Sequence, residues 1–224
     1  MLAMSVLFLI THQQWGEPSE PAENVGPPVG AGRALRYWAV WFQMAVFFLY
    51  TGLEVTFSQW TFTVLTESRH VDPVSAGIAV GIFWGSIGAG RVAFGFIADR
   101  VGIDRLLRYC LLGVNFGAIL FAAPLPVEAV YVGLSLAGFC LAPIFPCLMS
   151  RTPQRLGTAL SAHAIGFQVG AAMIGAAAVP GILGVMAGLS GIEAVPIGTV
   201  VLVGILTLLH EGLLRLPDVR MDQK

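Results

Sequence analysis

Residues 129–150 read AVYVGLSLAGFCLAPIFPCLMS, an uncharged and largely apolar stretch that decides the fold class. A membrane-spanning α-helix needs about 20 consecutive, mostly apolar residues, so this stretch is long enough for one span. The whole chain shares this character, because 56% of its 224 residues are hydrophobic and only 11% are charged. An ordinary soluble domain has about 25% charged residues. The composition therefore excludes a soluble globular protein and predicts an all-α membrane protein.

Other windows of similar length carry at most one charge. They cover residues 37–64, 73–90, 109–127, 156–192 and 194–210. The fifth window in chain order is too long for one straight span, and Pro180 followed by Gly181 predicts a single kinked helix there. The chain is therefore expected to form six transmembrane helices between residues 36 and 216.

The placement of basic residues supports this count. If the six spans alternate in direction, eleven of the 12 basic residues fall on one side and only Arg69 falls on the other. Such an asymmetry marks the cytoplasmic side. It predicts that both ends of the bundle, and loops at 91–108 and 151–155, face the cytoplasm of a cell membrane, either a plasma membrane or a bacterial inner membrane. The eleven residues are Arg33, Arg36, Arg91, Arg100, Arg105, Arg108, Arg151, Arg155, Arg215, Arg220 and Lys224.

The ends of the chain differ from the bundle. Residues 1–15 contain an apolar run that is too short to span, with no basic segment before it and no cleavage site of a signal peptide after it. We interpret this run as the tail of a preceding membrane helix. Residues 16–35 are rich in Pro, Gly and Glu and predict a flexible cytoplasmic linker. The bundle then covers 36–216, and 217–224 form a cytoplasmic tail.

A motif lies between the second and third predicted spans. Residues 90–102 read GRVAFGFIADRVG, and this string resembles the cytoplasmic loop motif of the major facilitator superfamily. Residues 103 and 104 depart from the family pattern, which favours basic residues there. The motif predicts a cytoplasmic gate that stabilises one conformation through helix contact and charge pairing, although ordinary loop charges would give a similar pattern. The predicted gate consists of Gly95, Asp99, Arg100 and Gly102.

Three further strings resemble the fucose permease-like, sugar:proton symporter branch of that superfamily. They are YTGLE at 50–54 with Trp60, APIFP at 142–146, and AIGFQ at 164–168 followed by Pro180 and Gly181. The resemblance implies a transporter of twelve helices in two six-helix halves, each an inverted repeat. It also implies that residues 36–216 are the C-terminal half and that the partner is the missing N-terminal half or a second copy of this chain.

Glu54 is the charged residue that interrupts a predicted span. A carboxylate inside a membrane costs about 2.5–3.5 kcal/mol on insertion scales, so it must face protein or water, and it is suited to exchange a proton. One helical face combines it with Gln43, Phe47 and Tyr50, groups that can hydrogen-bond hydroxyls and stack on a sugar ring. We therefore predict that Gln43, Tyr50 and Glu54 bind the solute or couple a proton. The alternative is that Glu54 snorkels to the outer interface.

Four other side chains inside predicted spans are candidates for the same site. Asn115 and Gln168 would hydrogen-bond the solute or, alternatively, join neighbouring helices. His163 would relay protons or simply bond a neighbouring helix. Trp84 would stack on the solute or only pack.

Glycine and cysteine patterns concern packing. Small residues repeat every four positions in the second span and in the fifth, which favours close helix crossing. They are Gly77, Gly81 and Gly85, and then Gly166 and Gly170. The cysteines Cys110, Cys140 and Cys147 lie in apolar stretches without metal-site or disulfide spacing,.

The resemblance, together with the polar residues inside the spans, implies transport of a small solute by alternating access, with a sugar favoured and a proton as the coupling ion. Two alternatives are efflux of a hydrophobic compound and a truncated half that transports nothing without its partner. The chain has no catalytic motif of an enzyme, so no enzymatic activity, cofactor or metal is expected. A net charge of −1 also gives no reason to expect binding to nucleic acid,.

Overall fold

The computed structural model describes residues 31–216, except for the side chains of Asp99, Thr158 and Ala159. The predicted helix tail at 1–15, most of the predicted linker and the predicted C-terminal tail lie outside the described residues. The last part of the linker is within them, and Ala31–Ala34 form a short helical turn. Ala34 is buried and packs with Val40 and Leu156, so this end of the linker is anchored on the bundle.

The described chain is helical throughout its length, apart from short connections. The helices are α1 (Trp38–Thr63), α2 (Pro73–Val101), α3 (Ile103–Ala122), α4 (Val127–Leu141), α5 (Ile144–Leu156), α6 (Thr158–Ser190) and α7 (Ala194–Arg215). A π-helical turn at Val64–Ser68 extends α1. Because α4 and α5 follow each other within one apolar segment, the seven helices make six candidate membrane spans. The predicted number of spans and the all-α class are confirmed.

The connections on the predicted cytoplasmic side are shorter than the sequence suggests. The predicted loops at 91–108 and 151–155 are wrong, because α2 continues to Val101 and α5 continues to Leu156. Only Gly102 separates α2 from α3, and only Gly157 separates α5 from α6. Both glycines have positive φ, 83° and 76°, a conformation that is open to glycine and costly for other residues,. A single residue can therefore reverse the chain, which leaves the arginines on helices.

Local residues define the other helix ends. The Asp72 side chain caps α2 by accepting hydrogen bonds from the backbone N–H groups of Val74 and Ser75, both at 3.0 Å,. Pro73 is the first residue of α2, a position that suits a residue without a backbone N–H,. Hydrogen bonds from Ser75 hold the pKa of Asp72 below its usual value. Pro143 lies between α4 and α5, where a residue without a backbone N–H interrupts the span,. Pro180 instead lies inside α6, which is one helix as predicted.

The helix pairs are related by an internal symmetry. The most extensive contact joins α1 to α6, and α4 packs against both α2 and α3. Helix α7 packs against α1 and α3. If the first three spans are exchanged with the last three, the α1–α6 pair becomes the α4–α2 pair, and α3–α4 becomes α7–α1. This is the arrangement of an inverted repeat.

Two kinds of glycine occur in these helices. At the crossing of α1 and α6, an added Cβ on Gly175 would lie 2.0 Å from the Phe48 carbonyl oxygen, and one on Gly52 would lie 2.4 Å from Val179. The repeated glycines that the sequence analysis identified have open space around them instead, with nothing within 4 Å of an added Cβ. Within residues 31–216 the predicted glycine stripes therefore mediate no helix crossing. They are Gly77, Gly81, Gly85, Gly166 and Gly170.

Candidate functional site

A hydrogen-bonded tyrosine and carboxylate lie in the middle of α1. The Tyr50 hydroxyl donates to Glu54 Oε2 at 2.5 Å, one helical turn further along. Tyr50 is only 2% exposed, whereas Glu54 is half-buried. Phe145 of α5 packs against the rings of Phe47 and Tyr50, with ring centroids 5.0 and 6.1 Å away. The carboxylate thus lies at the edge of the packed core, next to aromatic rings.

Two predicted site residues meet inside the bundle. Gln168 of α6 donates from Nε2 to Gln43 Oε1 of α1 at 2.8 Å and to Thr152 Oγ1 of α5 at 3.0 Å. Gln43 is 3% exposed, and Gln168 and Thr152 are fully buried. Each of the three side chains thus has a hydrogen-bond partner in the interior, as buried polar groups in membranes require,. In this structure the two glutamines join helices, and their predicted contact with the solute stays a prediction.

The predicted polar stripe on α1 therefore faces mainly inward. Gln43, Phe47 and Tyr50 belong to the interior of the bundle, and Glu54 is the member that is partly accessible. The spacing of the stripe correctly places these residues on one face. It does not show which face of α1 packs against α5 and α6.

Of the remaining candidates, Asn115 joins two helices. Its Nδ2 donates to the Leu111 carbonyl oxygen and to Thr207 Oγ1 of α7, both at 2.8 Å. This geometry matches the alternative of an interhelical bond. His163 is exposed on α6. Trp84 is 46% exposed and donates from Nε1 to Ser58 Oγ of α1 at 2.9 Å, and its predicted contact with the solute stays a prediction.

The predicted cytoplasmic gate lies at the turn between α2 and α3, and its role in stabilising one conformation stays a prediction. Gly102 forms the turn and Gly95 has open space around it, while Arg100 is exposed. The Asp99 side chain lies outside the description. The charge pairs of this end form further along the chain.

Two ion pairs and a carbonyl contact tie α3, α5 and α7 together. Arg151 binds Asp104 with two hydrogen bonds, of 2.6 and 3.1 Å, and Arg108 binds Glu211 in the same way, at 2.7 and 2.9 Å. Arg155 donates to the Leu213 carbonyl oxygen at 2.8 Å. The sequence analysis missed this cluster because it treated residue 104 only as a departure from a family pattern. An acidic residue in the first turn of α3, opposite two arginines four residues apart, was the available signal.

At the opposite end of the bundle, the described residues form an ion pair between Arg69 and Glu193. Arg69 binds Glu193 with two hydrogen bonds of 3.1 Å, and Ser68 donates to the same carboxylate at 2.7 Å. These bonds, that of Arg69 above all, hold the pKa of Glu193 below its usual value. The Arg69 guanidinium also lies 5.8 Å from the centre of the Phe121 ring,. The contact ties the end of α1 to the start of α7.

Sequence reasoning also missed a polar cavity between α1 and α6. It has a volume of about 550 Å³ and is lined by Gln59, Trp60 and Thr63 on one side and by the segment 176–184 of α6 on the other. Trp60 Nε1 donates to the Pro180 carbonyl oxygen at 3.1 Å, which orients the indole ring. An amide, a hydroxyl and an indole within two turns of α1 were the signal for this cavity.

The three cysteines are free and buried, as expected for packing residues. Across residues 31–216, no group of three His, Cys, Asp or Glu side chains is placed to hold a metal ion.

A family model of the Major Facilitator Superfamily matches residues 1–180. The chain belongs to this superfamily. Its six spans and their symmetric pairing are consistent with a six-helix half-domain of the fold. The chain is therefore a multi-pass membrane protein that belongs to a superfamily of non-enzymatic transporters.

Three curated relatives cover parts of the chain at low identity. "Sodium-dependent glucose transporter 1A" of Mus musculus is 27% identical over 97% of this chain and 51% of its own length. "Bypass of stop codon protein 6" of Saccharomyces cerevisiae is 25% identical over 83% of this chain and 39% of its own. "Nitrite extrusion protein" of Bacillus subtilis is 24% identical over 54% and 31%. The chain thus spans about half, or less, of the length of these relatives.

Proposed function

We propose that this chain is the C-terminal half of a sugar transporter that works by alternating access and couples sugar movement to a proton. The solute would lie between two six-helix halves, against the accessible face of α1 and α2. The name of the mouse relative supports a sugar as the solute. The resemblance to the fucose permease-like branch supports the proton.

The hydrogen bond between Tyr50 and Glu54 carries this proposal. Glu54 is an acidic residue in the interior of an apolar span, half-buried and paired with a hydroxyl instead of with a cation. An acidic side chain inside a span is rare and typically marks a solute pathway or a proton relay. The accessible groups near Glu54, Trp84 above all, would contact the sugar.

The open glycine faces of α2 and α6 support a partner that packs against them. Gly77, Gly81 and Gly85 of α2, and Gly166 and Gly170 of α6, present backbone that no part of the described chain covers. Small residues at this spacing permit another helix to approach closely. We propose that these faces pack against the missing N-terminal half, or against a second copy where that half is absent. A half that lacks this partner would not transport.

The proposed orientation places both ends of the bundle in the cytoplasm of a cell membrane. The strong excess of arginines on the side of Gly102 and Gly157 supports it,.

The first test joins the chain to its missing half and measures uptake of labelled sugar into proteoliposomes under an imposed pH gradient. Glu54→Gln should abolish accumulation against a gradient, since an amide cannot take up and release the proton. Downhill exchange of sugar should remain, because the amide still fills the site. The matched control is Glu128→Gln, which neutralises an exposed carboxylate at the start of α4. Unchanged proton-driven accumulation in Glu54→Gln would refute the coupling role.

A second candidate function is efflux of a hydrophobic compound. A cavity of about 530 Å³ between α1 and α6 is lined entirely by apolar or glycine residues, including Trp41, Phe48 and Phe167. Such a lining suits an apolar solute better than a sugar. Competition between a fluorescent hydrophobic compound and sugar for binding distinguishes the two functions.

A further inference from the structure

The polar cavity between α1 and α6 lies on a different face of α1 from the Tyr50–Glu54 pair. At about 100° per residue, Gln59 is rotated about 140° from Glu54 around the helix axis, and Thr63 about 180°. Gln59 also lies about 7.5 Å beyond Glu54 along the axis, at 1.5 Å per residue. Both Gln59 and Thr63 line the cavity. The cavity is therefore separate from the Tyr50–Glu54 pair and lies towards the end of α1.

Two polar side chains of α1 are available in this cavity. Gln59 and Thr63 lie one helical turn apart, Gln59 exposed and Thr63 half-buried. Neither side chain is hydrogen-bonded to another residue within the described range 31–216. An amide and a hydroxyl together offer both donors and acceptors. All residues of the lining are uncharged, so the cavity suits a neutral polar molecule better than an ion.

Pro180 adds a backbone acceptor on the α6 side of the cavity. Proline has no N–H, so the Ala176 carbonyl oxygen, four residues earlier, loses its usual donor within the helix. Ala176 and Pro180 both line the cavity. Inside a membrane, a backbone group freed in this way must find another partner, such as a hydroxyl or ordered water. The Trp60 indole donates to the Pro180 carbonyl oxygen instead, at 3.1 Å.

Trp60 gives the cavity an ordered aromatic wall. The ring packs directly against α6, because an added Cβ on Gly184 would lie 2.8 Å from Trp60 Cζ2. An added Cβ on Gly181 would meet nothing within 4 Å, so space remains beside the ring. An aromatic wall with a few placed polar groups is typical of small-molecule sites, whose volumes run from about 300 to 1,000 Å³. The volume of about 550 Å³ lies within that range.

We propose that this cavity is a second binding site, for a neutral molecule rich in hydroxyl groups. The molecule is either a free sugar or the sugar headgroup of a glycolipid, since both present the same hydroxyls to Gln59, Thr63 and the Ala176 carbonyl oxygen. With a free sugar, the cavity holds the solute before or after it reaches Glu54, and this reading rests on the proposed function. Residues of this chain form the whole lining, so the site does not depend on a second half.

The first test measures binding of labelled glucose to the full chain in nanodiscs of phosphatidylcholine. Gln59→Leu should weaken binding about three- to tenfold, as expected for the loss of a neutral hydrogen bond. Thr63→Val should weaken it by a similar factor. The matched control is Gln154→Leu, the same replacement at an exposed glutamine of α5, and it should leave glucose binding unchanged.

A pair of glycine variants tests the aromatic wall. Gly184→Ala places a methyl group against the indole and should displace Trp60, which weakens glucose binding without removing a polar group. Gly204→Ala makes the same change at an open position of α7 and should have no effect. Equal binding in the two variants would contradict the role of the Trp60 ring.

A second arm adds monoglucosyldiacylglycerol to the nanodiscs and counts the lipids that stay bound in native mass spectrometry. If glucose does not bind but the glycolipid is retained by the wild-type chain and lost in Gln59→Leu, the ligand is a headgroup. If neither binds in a way that depends on Gln59, with equal helix content in wild type and variant, the proposal is overturned. Gln59-dependent glucose binding without glucose uptake by the joined halves would contradict the proposed function and leave this site standing.

Discussion

The α1–α6 crossing and the outward face of α2 use glycine for opposite purposes. At the crossing, Gly175 has the Phe48 carbonyl oxygen where a side chain would begin. On α2, Gly81 has open space in the same position. Gly175 lets α1 and α6 pack closely together. The backbone at Gly81 is not covered by any described residue. Both glycines lie inside long apolar helices, so only their neighbours in the fold distinguish packing from an open surface.

The largest expected effect is on Gly175. Gly175→Ala places a methyl group 2.0 Å from a backbone oxygen that cannot move without shifting α1. We expect a loss of about 3 kcal/mol, the upper part of the usual range for overpacking. The matched change Gly81→Ala should stabilise the bundle by about 0.5–1 kcal/mol, since alanine is the better helix former. Unfolding in mixed micelles titrated with SDS measures both. Equal effects at the two positions would contradict the distinction between the packed glycine at the crossing and the open glycine on α2.

A smaller effect is expected at the polar contact in the same crossing. Gln168→Leu keeps the size of the side chain and removes the donor to Gln43 and Thr152. We expect a loss of about 1 kcal/mol, because interhelical hydrogen bonds in membranes average about 0.6 kcal/mol and a buried carbonyl is left unpaired. The control Gln59→Leu replaces an exposed glutamine on α1 and should change little.

The double variant Gln43→Leu with Gln168→Leu sharpens this result. Its loss should be less than the sum of the two single losses, since no polar partner is left unpaired between the two positions. Strict additivity would mean that the two amides do not depend on each other.

The smallest effect is expected at the end of the bundle, where Arg69 binds Glu193. Because the folded-state pKa of Glu193 is lowered, the stabilisation is present above the unfolded pKa of about 4.3 and is lost as the pH falls through the lower folded value,. The carboxylate side chain is 43% exposed, so Glu193→Gln should cost less than about 1 kcal/mol at pH 7,. The difference from wild type should shrink as the pH falls below about 4.3 and vanish below the folded pKa,. In an Arg69→Gln background it should be much smaller at pH 7, because only the bond from Ser68 remains.

Much of the fold follows directly from the sequence. The apolar windows predicted six spans, and Pro180 predicted a single helix in the longest of them. The helix ends on the arginine-rich side were harder to predict, because charges were taken to end a span. Arg91 is the case in point, since α2 continues well past it. A charged residue lowers the mean hydropathy of a window and so ends the predicted span. It does not break the helix itself.

The candidate site was predictable in its residue types and less so in its geometry. A carboxylate inside a span identified Glu54, and the spacing of α1 placed Tyr50 one turn away. The same spacing suggested that Gln43 is accessible, whereas the structure buries it against Gln168. The ion pair of Asp104 with Arg151 joins residues 47 positions apart, so the sequence shows the two residue types but not that they pair.

Composition and charge placement by themselves determined that the chain crosses a membrane with six helices, because the cost of transferring each residue into lipid depends mainly on that residue and its immediate neighbours. The tertiary structure decided which face of each helix is packed and which is open. That choice depends on the summed contacts of distant segments, so Gly175 and Gly81 look alike in sequence and differ completely in their surroundings.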